Sequence, residues 1–259
     1  MAYSDLREWI KALEKAGEVR HIRHEVDPIL EMAEIADRVS KMGQPGRTRP
    51  GERRKENTSR QQNYAPGGPA LVFENVKGYP GQKVLMNQFG SERRMCLALG
   101  VDSLDEVAAR IQELINLRSP EGFLDKIRML PMLADVGKFF PKLIAAKDAP
   151  CKQVILRDNF SVLDFPILQC WPGDGGRFIT LPCVVTRDPR DKSGKRNVGM
   201  YRMQVYDGQT TGMHWQRQKV AAEHYRERIR QSAVANSDDP AAARVAIMAE
   251  TGGGMNLSS

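Results

Sequence analysis

Cysteine, histidine and long apolar stretches are all scarce in this 259-residue chain, and each shortage argues against a class of function. The four cysteines, Cys96, Cys151, Cys170 and Cys183, are 55, 19 and 13 residues apart, which fits neither paired zinc ligands nor a dense secreted disulfide framework. They read as reduced thiols. No apolar run approaches the roughly 18 to 20 residues that a membrane span needs, and the opening Met1 to Leu6 has no basic region followed by an apolar stretch. A soluble, cytoplasmic protein is expected. A Gly-x-Ser-x-Gly nucleophile elbow is missing, as is a Cys-His pair with local support, and no repeat of fixed period suggests a solenoid or propeller.

Charge is present in excess but unevenly. The formal net charge is +7, and the stretch from Gly43 to Asn63 holds six basic residues (Arg47, Arg49, Arg53, Arg54, Lys55, Arg60) against Glu52 and Glu56, so it supplies +4 of the total. A basic run can attract nucleic acid or an acidic partner. With no aromatic-interleaved basic strand beside it, the bland reading as a solvated loop is preferred, and a nucleic-acid partner is not expected.

At 41% apolar residues the chain can bury one large core or two modest ones, and two domains are expected. Residues 1–117 read as a small α/β domain. Ser4 is placed to cap a helix carrying Leu6, Trp9, Ile10 and Leu13 up to Gly17, and Glu18 to Arg23 reads as a strand. Asp27-Pro28 reads as the cap and first position of a second helix ending near Met42. Residues 43–69 are too polar to repay ordering and read as an insertion. Strands are expected at Ala70 to Phe73 and Lys83 to Met86, and helices over Ser91 to Leu99 and Ser103 to Leu117. Residues 118–230 read as a β-rich domain or barrel, with strands at Gln153 to Arg157, Thr180 to Arg187, Val198 to Tyr206 and Thr211 to Trp215. An exposed helix over Gln216 to Arg230 and a poorly ordered tail over 231–259 complete the reading.

Chemistry concentrates in Arg196-Asn-Val-Gly-Met-Tyr-Arg-Met-Gln-Val-Tyr206 and the nearby Gly212-Met-His-Trp-Gln-Arg-Gln-Lys219. In a regular strand Asn197 and Arg202 would point to opposite faces, so an irregularity is expected at Gly199, the natural place for a bulge. By residue type alone, one Asn and one His make a poor metal site; a cation shared with a phosphate, its charge offset by Arg202, Arg217 or Lys219, is more plausible. Trp215 and Tyr201 are placed to flank a flat ring, though strand aromatics are more often core. The loop from Trp171 to Arg177 lacks the ending of a phosphate-binding P-loop and reads as a turn. His21 and His24 have no third ligand partner, and His224 reads as a surface residue.

The order of these residues carries more. Asn197-Val-Gly-Met-Tyr-Arg202 with Met213-His-Trp-Gln216 resembles the flavin-binding core of the UbiD decarboxylases. So do Asp5-Leu-Arg-Glu-Trp-Ile10, Pro69-Ala-Leu-Val-Phe-Glu-Asn-Val76, Asn87-Gln-Phe-Gly-Ser91, Asp164-Phe-Pro-Ile-Leu168 and the Trp171 to Thr180 loop. The resemblance implies an α+β protein in which the N-terminal α/β domain precedes a split β-barrel flavin-binding domain. It also implies prenylated FMN as cofactor and a divalent metal, manganese, held by Asn197 and His214. Met200, Tyr201, Arg202, His214, Trp215, Gln216 and Lys219 would line the cofactor, and Arg202 would act in catalysis beside the substrate carboxylate. Val220 departs from the glycine frequent in that family.

The activity so implied is non-oxidative decarboxylation of an aromatic or α,β-unsaturated acid, hydroxybenzoate-like, in quinone synthesis, with a flavin prenyltransferase supplying the cofactor. Family members extend well past the position of Arg230 and carry further metal-binding and acidic residues there, so the barrel is expected to be incomplete at the C-terminus. Glu250 lies in unrelated context. Homo-oligomers are expected if that later part is supplied, and the alternative is a truncated, non-catalytic flavin-binding or assembly subunit.

Overall fold

The computed structural model describes residues 3–41, 67–116, 144–157, 159–193 and 196–234, with positions 134, 137 and 140. Helix α1 (Leu6–Ala16) begins at Asp5, whose carboxylate accepts the Glu8 amide, so the cap falls one residue after the Ser4 expected. Ser4 instead donates its amide and hydroxyl to Glu8. Gly17, at φ +69°, closes the helix.

Strand β1 (Val19–Val26) pairs in parallel with β2 (Ala70–Val76), which pairs antiparallel with β3 (Val84–Met86). Residues Ala70 to Phe73 are all buried: Ala70 packs with Trp9 and Leu13 of α1, while Leu71 and Phe73 pack with Met32 and Ala36 of α2 (Glu31–Ser40). A central strand covered on both faces reads as a continuous apolar run, as this one does. Helices α3 (Glu92–Leu99) and α4 (Leu104–Ile115) follow, begun by Ser91 and Ser103 as expected.

Helix α2 does not begin at Asp27-Pro28. The Asp27 carboxylate accepts the Ile29 amide at 2.8 Å, the Leu30 amide donates to Gln169 O at 2.8 Å, and the Glu31 amide turns back to Ile29 O at 2.8 Å. Leu30 therefore sits at φ +69°, the centre of a tight three-residue turn that is costly for a branched residue. The long-range bridge between Ile29 and Gln169 holds the helix start back to Glu31.

The insertion expected over 43–69 lies outside the described residues as far as 66. Its last three residues, Gly67, Gly68 and Pro69, are buried, which corrects that reading at its end. The reason is Arg94 on α3, wholly buried: it donates from Nη1 to Glu18 at 2.9 Å and to Gly68 O at 2.6 Å.

The described residues of the second half hold five short strands in two sheets: β4 (Arg177–Ile179), β5 (Cys183–Arg187), β6 (Arg196–Met200), β7 (Met203–Val205) and β8 (Thr211–Met213). The sheets are β4-β7-β8 and β5-β6, all pairs antiparallel, and they are not closed on one another among the described residues. Helix α5 (Val220–Val234) follows. The mixed α and β content matches the expected class.

Three expectations need correction. The single strand expected over Val198 to Tyr206 is two strands in different sheets, divided at Tyr201 and Arg202. Gly199 carries no bulge, because the β5-β6 register runs unbroken from Cys183↔Met200 to Arg187↔Arg196. Gln153 to Arg157 is no strand: Val154, Ile155 and Leu156 are exposed and pair with no neighbouring edge among the described residues, without which an apolar run does not become a strand. Gly199 has another use, since a Cβ there would lie 2.5 Å from the Tyr201 ring.

Two stability outcomes follow. Arg94→Met would leave the buried Glu18 carboxylate with only the exposed Arg93, 3.3 Å away, and is expected to cost about 3–5 kcal/mol in urea unfolding. Gly199→Ala is expected to cost about 1–3 kcal/mol through overpacking against Tyr201; an unchanged urea midpoint in either variant would contradict the packing described.

Candidate functional site

Sheet pleating decides which side chains share a surface. In β7, Met203 and Val205 turn into the second core, with Ile179, Val184 and Tyr201. Alternation puts Gln204 on the opposite face, beside its partners Phe178 of β4 and Gly212 of β8. Arg202 and His214 extend the same face by one pair, because the His214 amide donates to Arg202 O at 2.9 Å.

On this face the Arg202 guanidinium lies 3.7 Å from the centre of the Phe178 ring, a cation-π contact worth about 0.5–2 kcal/mol according to solvation. Its Nη2 donates to Asp174 at 2.8 Å, while its Nε is buried with no hydrogen-bond partner among the described residues. Gln204 donates to Gly175 O at 2.7 Å, and a Cβ at Gly175 would lie 2.5 Å from that amide nitrogen. The loop from Trp171 to Gly176 is therefore drawn over the sheet by Arg202 and Gln204. It is a turn, as expected, and it also contacts the candidate site.

Cys170, at the start of this loop, is close enough to feel both charges. Burial pushes its thiol up, with Arg202 pulling it down and Asp174 raising it.

Behind the loop, a cavity of about 470 Å³ opens between α2, the end of β3 and Cys170 to Pro172. Its carboxylates Glu34 and Asp37 are already paired with Arg38 and Lys41, and Arg202, Phe178 and His214 do not line it.

The residues singled out in the sequence thus separate. Arg202 and His214 come together, His214 exposed. Met200, Gln216 and Lys219 are exposed as well. Tyr201 and Trp215 belong to the core, with ring centres 6.3 Å apart edge to face, and Trp215 also meets Tyr225. The Tyr201 hydroxyl accepts the Ala221 amide at 3.2 Å, which satisfies one free N–H of the first turn of α5. Asn197 stands in the other sheet, paired with Thr186 and sharing its face. Among the described residues no group of three or more His, Cys, Asp or Glu side chains gathers as a metal site.

Sequence reading missed Asp174, Phe178 and Gln204, which lie in or opposite a stretch read as a turn and a strand. It also misplaced His224. That residue is buried, with Nδ1 2.9 Å from Thr186 Oγ1 and Nε2 3.9 Å from Asp188, whose partner Arg190 reaches Glu223 at 2.9 Å. The polar helix sequence hid this because its buried residues among those described, Ala221, Ala222 and His224, are few and lie near its start.

Residues 10–48 and 58–113 match the family model of the 3-octaprenyl-4-hydroxybenzoate carboxy-lyase N-terminal domain, and residues 142–256 match that of the Rift-related domain of the same enzymes. An uncharacterized protein of Archaeoglobus fulgidus is 47% identical over 227 residues, covering 88% of this chain and 40% of that protein. Among solved structures, vanillic acid decarboxylase from Sedimentibacter hydroxybenzoicus in closed form aligns with a TM-score of 0.62 at 26% identity, over 89% of this chain and 41% of that one. An evolved dimeric form of the UbiD-class enzyme HmfF from Pelotomaculum thermopropionicum, in complex with prFMN, aligns with a TM-score of 0.62 at 23% identity over 89% and 42%, a likeness of fold. The chain spans about 40% of the length of the relatives it matches.

The Asp188 cluster yields a pH dependence. Side-chain hydrogen bonds from Arg190, then its backbone amide, hold the Asp188 carboxyl at about 2, below its ordinary 3.8. A lowered folded-state value stabilises the fold above about pH 4, and that contribution fades as pH falls through 2. Melting temperatures between pH 5 and 2 should therefore fall less steeply in Asp188→Asn than in the unaltered chain; parallel curves would contradict the assignment.

Proposed function

The chain belongs to the UbiD carboxy-lyase family, and from that premise we propose that it serves the non-oxidative decarboxylation of an aromatic or α,β-unsaturated carboxylic acid, hydroxybenzoate-like, with prenylated FMN. The observation that carries the proposal is Arg202: a permanently charged fork seated over the Phe178 ring, with a buried Nε that has no partner among the described residues beside an Nη2 that has one. Nε and Nη2 form the edge on which a guanidinium receives a carboxylate through two parallel hydrogen bonds.

In this reading the two open sheets are the described part of a split β-barrel formed by residues 118–230, after an α/β domain formed by 1–117. Met200, His214, Gln216 and Lys219, all exposed, would hold the flavin, with Lys219 and Arg217 offsetting its phosphate charge. Tyr201 and Trp215 support them from the core side. When bound, the modified flavin supplies the electron sink for the pair released as CO2 departs. The chain's own part is to seat the carboxylate on Arg202 and to hold the reacting carbon in register with the cofactor.

Manganese fits the described residues less well. Asn197 and His214 stand in separate sheets and offer two donors where a hard cation takes about six, so no step is assigned to it. A place in quinone synthesis, a cytoplasmic location, a flavin prenyltransferase as supplier and homo-oligomeric assembly complete the proposal.

Co-expression with a flavin prenyltransferase and manganese, followed by absorbance and mass spectrometry of the copurified small molecule, tests it. Prenylated flavin should accompany the full chain and be reduced at least severalfold in Arg202→Ala and Lys219→Ala that remain folded by circular dichroism. A folded chain that carries no flavin would overturn cofactor binding by these residues.

A further inference from the structure

We propose that Asp174 is a built-in occupant of the carboxylate seat on Arg202, and that an incoming carboxylate binds by displacing it. The inference rests on the reading of Arg202 as a carboxylate receptor and adds the group with which the substrate exchanges.

The geometry of the pair argues for exchange. Asp174 uses only one of the two parallel N–H groups on its edge of the guanidinium, Nη2 at 2.8 Å, and leaves Nε buried without a partner among the described residues. A buried donor left unmade is costly, and a charged one more so. Asp174 is tied into the turn closed by its own amide on Trp171 O at 3.2 Å, whereas a free carboxylate has no tether and can take both N–H groups at once.

The two partners differ in how firmly they are held. Arg202 stands on backbone bonded to His214, and its guanidinium has the Phe178 ring as a support besides Asp174. Asp174 rides on a loop whose residues Trp171, Pro172, Gly173 and Gly175 are exposed, and Gly176 is at φ +119°. The Arg202 and Asp174 side chains retain 37% and 18% of their exposure, so the ion pair is partly hydrated and its loss is modest. Two carboxylates on one edge would repel, so the substrate and Asp174 exclude each other.

A purely structural aspartate predicts the opposite response to mutation. If Asp174 only orients Arg202, removing its charge weakens carboxylate binding; if it competes, removing its charge strengthens it. Damage to folding does not raise affinity.

The test is calorimetric titration of the full chain with benzoate, and with benzamide as an uncharged probe of the same shape. In Asp174→Asn the benzoate dissociation constant should fall roughly three- to fivefold, the factor commanded by a partly exposed ion pair, while benzamide is unaffected. Asp174→Ser, which cannot reach Arg202 in the same way, should show the same sign. Unchanged or weaker benzoate binding in both variants overturns the proposal, as does an absence of binding in the unaltered chain and both variants. Where the unaltered chain binds benzoate but the Asp174 variants do not bind it more tightly, loss of binding in Arg202→Met keeps the receptor reading of Arg202, and binding left intact in Arg202→Met removes that reading too; where the unaltered chain binds no benzoate, both readings fall.

Discussion

Tyr201 is the pivot on which the second half of the molecule turns. Its backbone lies where the chain leaves β6 and enters a different sheet at β7. Its ring fills the core between them, meets Trp215 edge to face, and its hydroxyl receives an amide of the first turn of α5. A tyrosine buried in this way needs a partner for its oxygen, and the first turn of a helix always has an amide to spare. Gly199 is required because any side chain there would occupy the space of the ring.

Everything on the opposite face follows from that turn. Once Met203 and Val205 are directed inward, pleating leaves Arg202 and Gln204 no choice but the outer surface, where Phe178 and the loop from Trp171 meet them. The loop is in turn joined to the first half, since Gln169 bonds with Pro28 and Leu30 at a strained turn before α2. The Arg177 guanidinium on the Tyr79 hydroxyl and the Gln82 side chain on Asp164 O add two further ties. The candidate site is thus set by contacts from both halves, although its charged groups come from one. A buried pair, Arg94 and Glu18, plays the corresponding part in the first half by fastening α3 to the turn between α1 and β1 and to Gly68.

Local chemistry alone determined a good deal of this protein. Helices α1, α3 and α4 lie where apolar spacing and short polar capping residues put them, because caps and faces are written within a few residues. The run Ala70 to Phe73 announced a strand covered on both faces, and the order Asn197 to Arg202 with Met213 to Gln216 carried the family. Tertiary structure alone decided the rest. Helix α2 starts late because Gln169, over a hundred residues away, captures Leu30. Val198 to Tyr206 divides because the ring of Tyr201 needs a core that no nine-residue window contains, and Asp174 becomes an Arg202 partner because the sheet register brings residues 28 apart to 2.8 Å. Periodicity records which face a residue occupies, whereas the identity of what faces it depends on how separate elements pack.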